Sequence, residues 1–272
     1  MVLVNPNTST ATTAMMTTIA RRSLATTPPP PTGALAHPAH TQAACAHPTH
    51  APATCSHLVH APTASAYPTH TPTARAIPVH APAALAVRGV TVSRGPGMLT
   101  DPAALRAAAP EVLAAGLRAV AEGDCAALLV AAFGDPGVEE LRAATEVPVV
   151  GLGEAALAEA AAGGTPFGIA TTTPLLADAI TERVAALGLA DRYTGLRLTA
   201  GAPERLSADP ALLLDRLERA VRACAERDGA RAVVIGGGPL GEAADELRAR
   251  CAIPVVAPIP AAIRAITRML TA

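Results

Sequence analysis

Short, continuous apolar runs alternate with longer stretches in which apolar residues recur at helical spacing. The pattern holds along the whole chain except residues 26–84. The apolar runs predict strands at 1–4, 85–92, 126–131, 148–152, 167–170, 194–199, 232–235 and 254–257. The periodic stretches predict helices at 103–122, 138–144, 154–162, 174–187, 210–227, 241–250 and 261–270, and a Thr-rich run at 10–24 leads towards the second strand. Strands that are apolar throughout are those of a parallel sheet covered on both faces. Strand and helix in strict alternation define the α/β class. Helix starts are punctuated by a capping residue before proline: Asp101-Pro102, Asp135-Pro136, Thr173-Pro174 and Asp209-Pro210, with Gly238-Pro239 as a glycine version.

The chain also echoes itself. Glu146-Val147-Pro148-Val149-Val150 is matched by Ala252-Ile253-Pro254-Val255-Val256, each after a strand, a turn and a short helix. This predicts an α/β fold of two pseudo-symmetric parallel-sheet lobes, 1–160 and 161–257, with a helix at 258–272 returning to the first. A ligand cleft is expected where the strand C-terminal ends of the lobes meet.

Residues 26–84 depart from this pattern as a low-complexity Pro/His-rich insertion. All eight histidines lie there, in a register that repeats every ten residues (His37 and His40, His47 and His50, His57 and His60, then His70 and His80), and Arg75 is the one charged side chain. Repeated proline excludes a continuous helix or a central strand, so a polyproline-like or disordered loop is expected. The His-x-x-His pairs could converge on a metal ion. The repeat decays at Tyr67 and Ile77, which favours a tolerated DNA-repeat expansion, with any metal binding by His37, His40, His47, His50, His57 and His60 weak.

Composition narrows the classes. Charged residues are nearly balanced at −1, every basic residue is Arg, Trp is absent, and there are two Phe and two Tyr. A nucleic-acid face would need basic and stacking side chains, so no nucleic-acid partner is expected. No targeting segment or bilayer-length apolar run is legible, so a cytoplasmic protein without membrane association is expected, and a homo-oligomer is compatible with the sequence. The five cysteines lack a disulfide-framework spacing.

Candidate chemistry sits at the strand-to-helix turns. Asn7, Thr8 and Ser9 follow the first strand; Ala132, Phe133, Gly134 and Asp135 follow the third; Thr171, Thr172 and Thr173 follow the fifth; Gly236, Gly237 and Gly238 follow the seventh. Hydroxyls and amide N–H groups at such turns suit a carboxylate or imide oxygen, which makes Asn7, Thr8, Ser9, Thr171 and Thr172 candidate ligand contacts, while Thr173 reads as a helix cap. Gly236-Gly237-Gly238 could bring backbone amides to an anion or form a tight turn. Asp135 reads first as the cap of a helix starting at Pro136 and second as a general base. Glu154 could meet a ligand N–H or complement a helix dipole.

Four motifs follow one another along the chain: Val4-Asn5-Pro6-Asn7-Thr8-Ser9, Gly89-Val90-Thr91-Val92-Ser93-Arg94-Gly95-Pro96, Phe133-Gly134-Asp135-Pro136-Gly137 and Gly151-Leu152-Gly153-Glu154-Ala155. In these motifs the sequence resembles the aspartate/glutamate/hydantoin racemase superfamily, its hydantoin racemase branch in particular. The resemblance implies a small-molecule substrate, an amino acid or a derivative such as a hydantoin, and no cofactor. It also implies substrate contacts at Asn7, Thr8, Ser9, Phe133, Gly134, Glu154, Thr171, Thr172, Gly236 and Gly238, and a pair of cysteines on opposite faces of the substrate, one removing the α-proton and the other returning one. Those two positions fall on Ala132 and Gly237, neither of which can carry a proton. Cys125 lies seven residues upstream of Ala132, more than 20 Å along an extended strand at about 3.3 Å per residue. The expectation is therefore an isomerase-family protein with altered or lost racemisation, or alternatively a non-catalytic binding or accessory protein with a metal-buffering loop.

Overall fold

The computed structural model describes residues 1–27 and 85–271. The Pro/His repeat, with the histidine pairs named above, lies outside the described residues. Two four-stranded parallel sheets form the framework. The first comprises β1 (Val2–Asn5), β2 (Arg88–Thr91), β3 (Leu128–Val130) and β4 (Val149–Gly151), ordered β2-β1-β3-β4. The second comprises β5 (Phe167–Thr171), β6 (Tyr193–Leu198), β7 (Ala232–Ile235) and β8 (Val255–Val256), ordered β6-β5-β7-β8. The spatial order is the same in both, and the echoed segments become the edge strands β4 and β8. Every pairing is parallel. The strands β1, β3, β5 and β7 are buried along their length, which is why they read as unbroken apolar runs.

The helices are α1 (Thr10–Thr26), α2 (Pro102–Ala121), α3 (Val138–Ala144), α4 (Leu152–Ala160), α5 (Ala177–Ala186), α6 (Pro203–Ala208), α7 (Pro210–Glu226), α8 (Gly241–Arg250) and α9 (Pro258–Thr271). Most of α4 is buried, and it touches both β4 and β7. Together α1, α4 and α9 share a core cluster with Leu3, Leu129, Phe167, Ile169 and Val234 from the two sheets. Arg264 of α9 makes a two-pronged ion pair with Glu159 of α4, at 2.9 and 2.6 Å. The outer faces carry separate cores, around α2 and α3 in one lobe and α7 and α8 in the other. Among the described residues no helix is long and apolar enough to cross a membrane.

Several expectations are corrected in detail. Asp101 and Asp209 do cap α2 and α7, accepting from the N–H of Ala104 at 2.9 Å and Leu212 at 3.0 Å. Asp135 does not cap a helix starting at Pro136: α3 starts at Val138, with Gly137 at φ 76° before it. The segment after Thr173-Pro174 first forms a 3-10 turn, Pro174–Leu176, with no side-chain cap. The helix α6 was not expected, because one buried residue, Leu206, is too little periodicity to register. The last helix begins at Pro258 rather than 261, since prolines in a first turn remove no intrahelical bond.

Candidate functional site

The C-terminal ends of the four central strands converge on one cavity with about 790 Å³ of empty space, the open mouth included. Each strand end is held in place by local hydrogen bonds. Asn5, fully buried at the end of β1, donates through Nδ2 to Asn7 Oδ1 at 2.9 Å and Thr13 Oγ1 at 2.9 Å, and its Oδ1 accepts from the Asn7 N–H at 3.2 Å. The buried amide thus fixes the loop that brings Asn7 to the cavity. At the end of β5, Thr171 is fully buried and donates its hydroxyl to the Gly236 carbonyl at 2.7 Å, tying that turn to the one after β7. Thr172 and Thr173 then face the cavity.

The turn after β3 is built around Asp135. Its side chain has no solvent exposure, and it sits at φ 49°, a conformation that aspartate tolerates better than most residues. Its two oxygens accept from the N–H of Gly153 at 2.7 Å and of Glu154 at 2.8 Å, the first turn of α4. Asp135 is therefore a cap, of a different helix from the one its sequence position suggests. Burial, the largest influence, pushes its carboxyl up to about 7, against the pull of these two N–H groups and of Arg183; the neighbouring Glu154 pushes the same way as burial. Two glycines make room for this arrangement. A Cβ on Gly151 would lie 2.5 Å from the Asp135 carboxyl, and one on Gly153 would lie 2.1 Å from the Phe133 carbonyl oxygen. Gly153→Ala forces backbone apart, so a loss of about 2–4 kcal/mol in chemical denaturation is expected; a midpoint within error of the parent would refute this packing.

Behind the turn lies an ion cluster that joins the lobes. Arg183 of α5 reaches Asp135 at 3.4 Å, Glu154 at 3.2 Å and Glu139 at 3.9 Å. Arg142 of α3 also pairs with Glu154 and Glu139. Glu154 Oε1 additionally accepts the Gly151 N–H at 2.9 Å. The Nε of Arg183 is buried without an acceptor.

Of the residues singled out in the sequence, Asn7, Ala132, Phe133, Gly134, Thr172, Gly236, Gly237 and Gly238 line the cavity. Ala132 and Gly237, one from each lobe, share this one space, and both are partly exposed while the residues on either side are largely buried. The other candidates are engaged elsewhere. Ser9 caps α1 by accepting from the Thr12 N–H at 3.2 Å, Thr8 donates to the Gly95 carbonyl at 3.4 Å, and Thr171, Asp135 and Glu154 make the contacts just described. Thr173, read as a cap, lines the cavity instead. The apolar walls were not legible in the sequence: Met98 and Leu99 come from the segment before α2, Leu176 from the turn before α5, and Leu206 from α6, which also brings Ser207.

Among the described residues no ionisable side chain lines this cavity. Its polar side chains are Asn7, Thr172, Thr173 and Ser207. The three cysteines among the described residues are elsewhere. Cys125 lies before β3, Cys251 follows α8, and Cys224 is buried in α7, where burial and the nearby Asp228 push its thiol up to about 12. The described residues contain no group of three His, Cys, Asp or Glu side chains placed to hold a metal.

The profile of the Asp/Glu/Hydantoin racemase family matches residues 58–266. A hydantoin racemase from Paenarthrobacter aurescens is 27% identical over 178 residues, which is 65% of this chain and 75% of that protein. Allantoin racemase from Klebsiella pneumoniae superposes with a TM-score of 0.71 at 20% identity, covering 99% of this chain and 86% of its own. Allantoin racemase from Pseudomonas fluorescens gives 0.71 at 21% identity, covering 99% and 89%. At these identities the two structures speak for the fold. The family match spans well over half of the chain, and the paired-sheet architecture with its interlobe cavity agrees with it: this chain belongs to the Asp/Glu/hydantoin racemase family.

Proposed function

We propose that the cleft binds a small, uncharged cyclic ureide of the hydantoin class and does not racemise it by a two-thiol mechanism. The observation that carries this reading is the lining itself: Ala132 and Gly237 occupy the positions that the family resemblance assigns to cysteine, they line the same cavity, and among the described residues no ionisable side chain accompanies them. Inversion at a carbon acid needs a base and an acid on opposite faces, each with a suitable pKa. Threonine and serine hydroxyls supply neither without a neighbouring base. Asn7, Thr172, Thr173 and Ser207 can instead donate to ring carbonyls and accept from ring N–H groups. An acidic amino acid would bury its carboxylates among leucine and methionine side chains without a cation, at large desolvation cost. The neutral ring fits; the acid does not.

The test uses single enantiomers of hydantoins and of acidic amino acids in deuterated water. The expected result is no catalysed inversion and no α-proton exchange above the buffer rate, with hydantoins raising the melting temperature by about 5 °C at a hundredfold excess over Kd. Catalysed inversion, or stabilisation by the acidic amino acids but not by hydantoins, would overturn the reading.

A further inference from the structure

The turns that carry Ala132 and Gly237 touch each other beside the cavity. A Cβ on Gly238 would lie 3.3 Å from the Ala131 carbonyl oxygen, so the residues next to that contact, Ala132 from one lobe and Gly237 from the other, enter the cavity close together. Side-chain size at these two positions therefore sets the room left to a ring held between the lobes. Ala132 contributes one methyl group and Gly237 none. The surroundings on each side are apolar. Where a Cβ of Gly237 would stand, its nearest neighbour is the Leu240 side chain at 3.0 Å, and Leu240 lines the cavity. On the other side the Leu105 side chain lies against Gly134, 2.6 Å from where a Cβ would be, and lines the same space with Phe133. A ring seated here has apolar room on both of its faces.

We infer that the cleft takes cyclic ureides whose ring carbon C5 is fully substituted, with one small apolar group towards Ala132 and the other towards Gly237. The inference rests on the reading of the cleft as a hydantoin-class site and names the form of the ring that it holds. Such a carbon bears no hydrogen, so a site for it has no use for a base and an acid on opposite faces. Gaps on either side of a buried ring forfeit packing contacts, and a methyl group on each face restores them.

Calorimetric titration of the full chain with hydantoin, each enantiomer of 5-methylhydantoin and 5,5-dimethylhydantoin tests this. A carbon moved from water to an apolar wall strengthens binding by about fourfold. The dimethyl compound is therefore expected to bind about tenfold more tightly than hydantoin, and the two 5-methyl enantiomers within about threefold of each other, since either face takes a methyl group. Ala132→Val and Gly237→Ala each fill one face. Each should weaken the dimethyl compound relative to hydantoin by at least about fivefold, and the two variants should prefer opposite enantiomers of the 5-methyl compound. Should a variant not fold, the parent's own series decides. A dimethyl compound that binds more weakly than hydantoin, a parent that separates the 5-methyl enantiomers by more than about tenfold, or variants that prefer the same enantiomer would each remove the inference and leave the proposed function standing. Failure of every hydantoin to bind would remove both.

Discussion

The double substitution Ala132→Cys, Gly237→Cys is expected to produce a protein that exchanges the C5 proton of a bound hydantoin and inverts its configuration, at a rate at least about a hundredfold above the parent. A positioned general acid or base is worth about 10²–10⁴ in rate, and neither lines the parent cavity among the described residues. The geometry accepts both side chains. Ala132 already carries a Cβ and is partly exposed to the cavity. Gly237 has φ 172°, extended backbone that any residue adopts. A Cβ there would meet only the side chain of Leu240, at 3.0 Å, whose flexible end can move. A Cβ on Gly236 would meet Thr171 Cβ at 2.9 Å and one on Gly238 would meet the Ala131 carbonyl oxygen at 3.3 Å, so the middle glycine of the three is the substitutable one. Among the described residues no cationic side chain lines the cavity to lower the thiol pKa, so activity should rise towards the ordinary cysteine value of about 8.5. Each single variant should show at most exchange without inversion. A folded double variant that binds hydantoin and still leaves the C5 proton in place would show that the two positions do not face a common substrate carbon.

The largest expected loss of stability follows from Asp135→Ala. The substitution strips the acceptors from two N–H groups at the start of α4 and leaves Arg183, Arg142 and their remaining carboxylates to rearrange. Unsatisfied buried donors cost about 1–3 kcal/mol each, so the two lost at the start of α4 should give a loss of about 3–5 kcal/mol in denaturation at pH 5. A loss under 1 kcal/mol would mean that the capping bonds do not hold the turn.

The same carboxyl sets a pH dependence with a definite sign. Folded, it keeps its proton up to about 7; its ordinary value is 3.8. Between those values the folded chain binds more protons than the unfolded one, so this group's contribution to stability falls as pH rises from about 4 to about 7 and is level above that. About three pK units at about 1.4 kcal/mol each bound the effect at about 4 kcal/mol. Asp135→Asn, which keeps one acceptor oxygen, should lack this slope. A parent and variant with parallel profiles from pH 4 to 7 would contradict the burial-driven shift.

The parallel strands, the caps at Asp101 and Asp209 and the repeated order of the two lobes are local or periodic properties, and each was legible as residue type at fixed spacing. The convergence of Ala132 and Gly237 was legible only as a consequence of lobe duplication. Two features escaped sequence reading because they rest on contacts between distant segments. Asp135 looked like the cap of the nearest helix, but it caps α4, eighteen residues on at Gly153. Thr173 looked like a cap and faces the cavity instead. Nothing in the residue itself distinguishes these outcomes, since a carboxylate or a hydroxyl accepts from whichever N–H the packing presents.

By itself, then, the order of residues determined the α/β class, the duplicated half and the sulfur-free residues Ala132 and Gly237 at two matched turns, because hydrophobic periodicity and proline or glycine punctuation act within a few residues along the chain. Only the folded arrangement decided that the described residues lining the cleft are neutral and rich in leucine, and that Asp135 is sequestered in a cap. Those properties depend on which side chains from two lobes arrive at one place, and direction in space is set by packing between elements far apart in sequence.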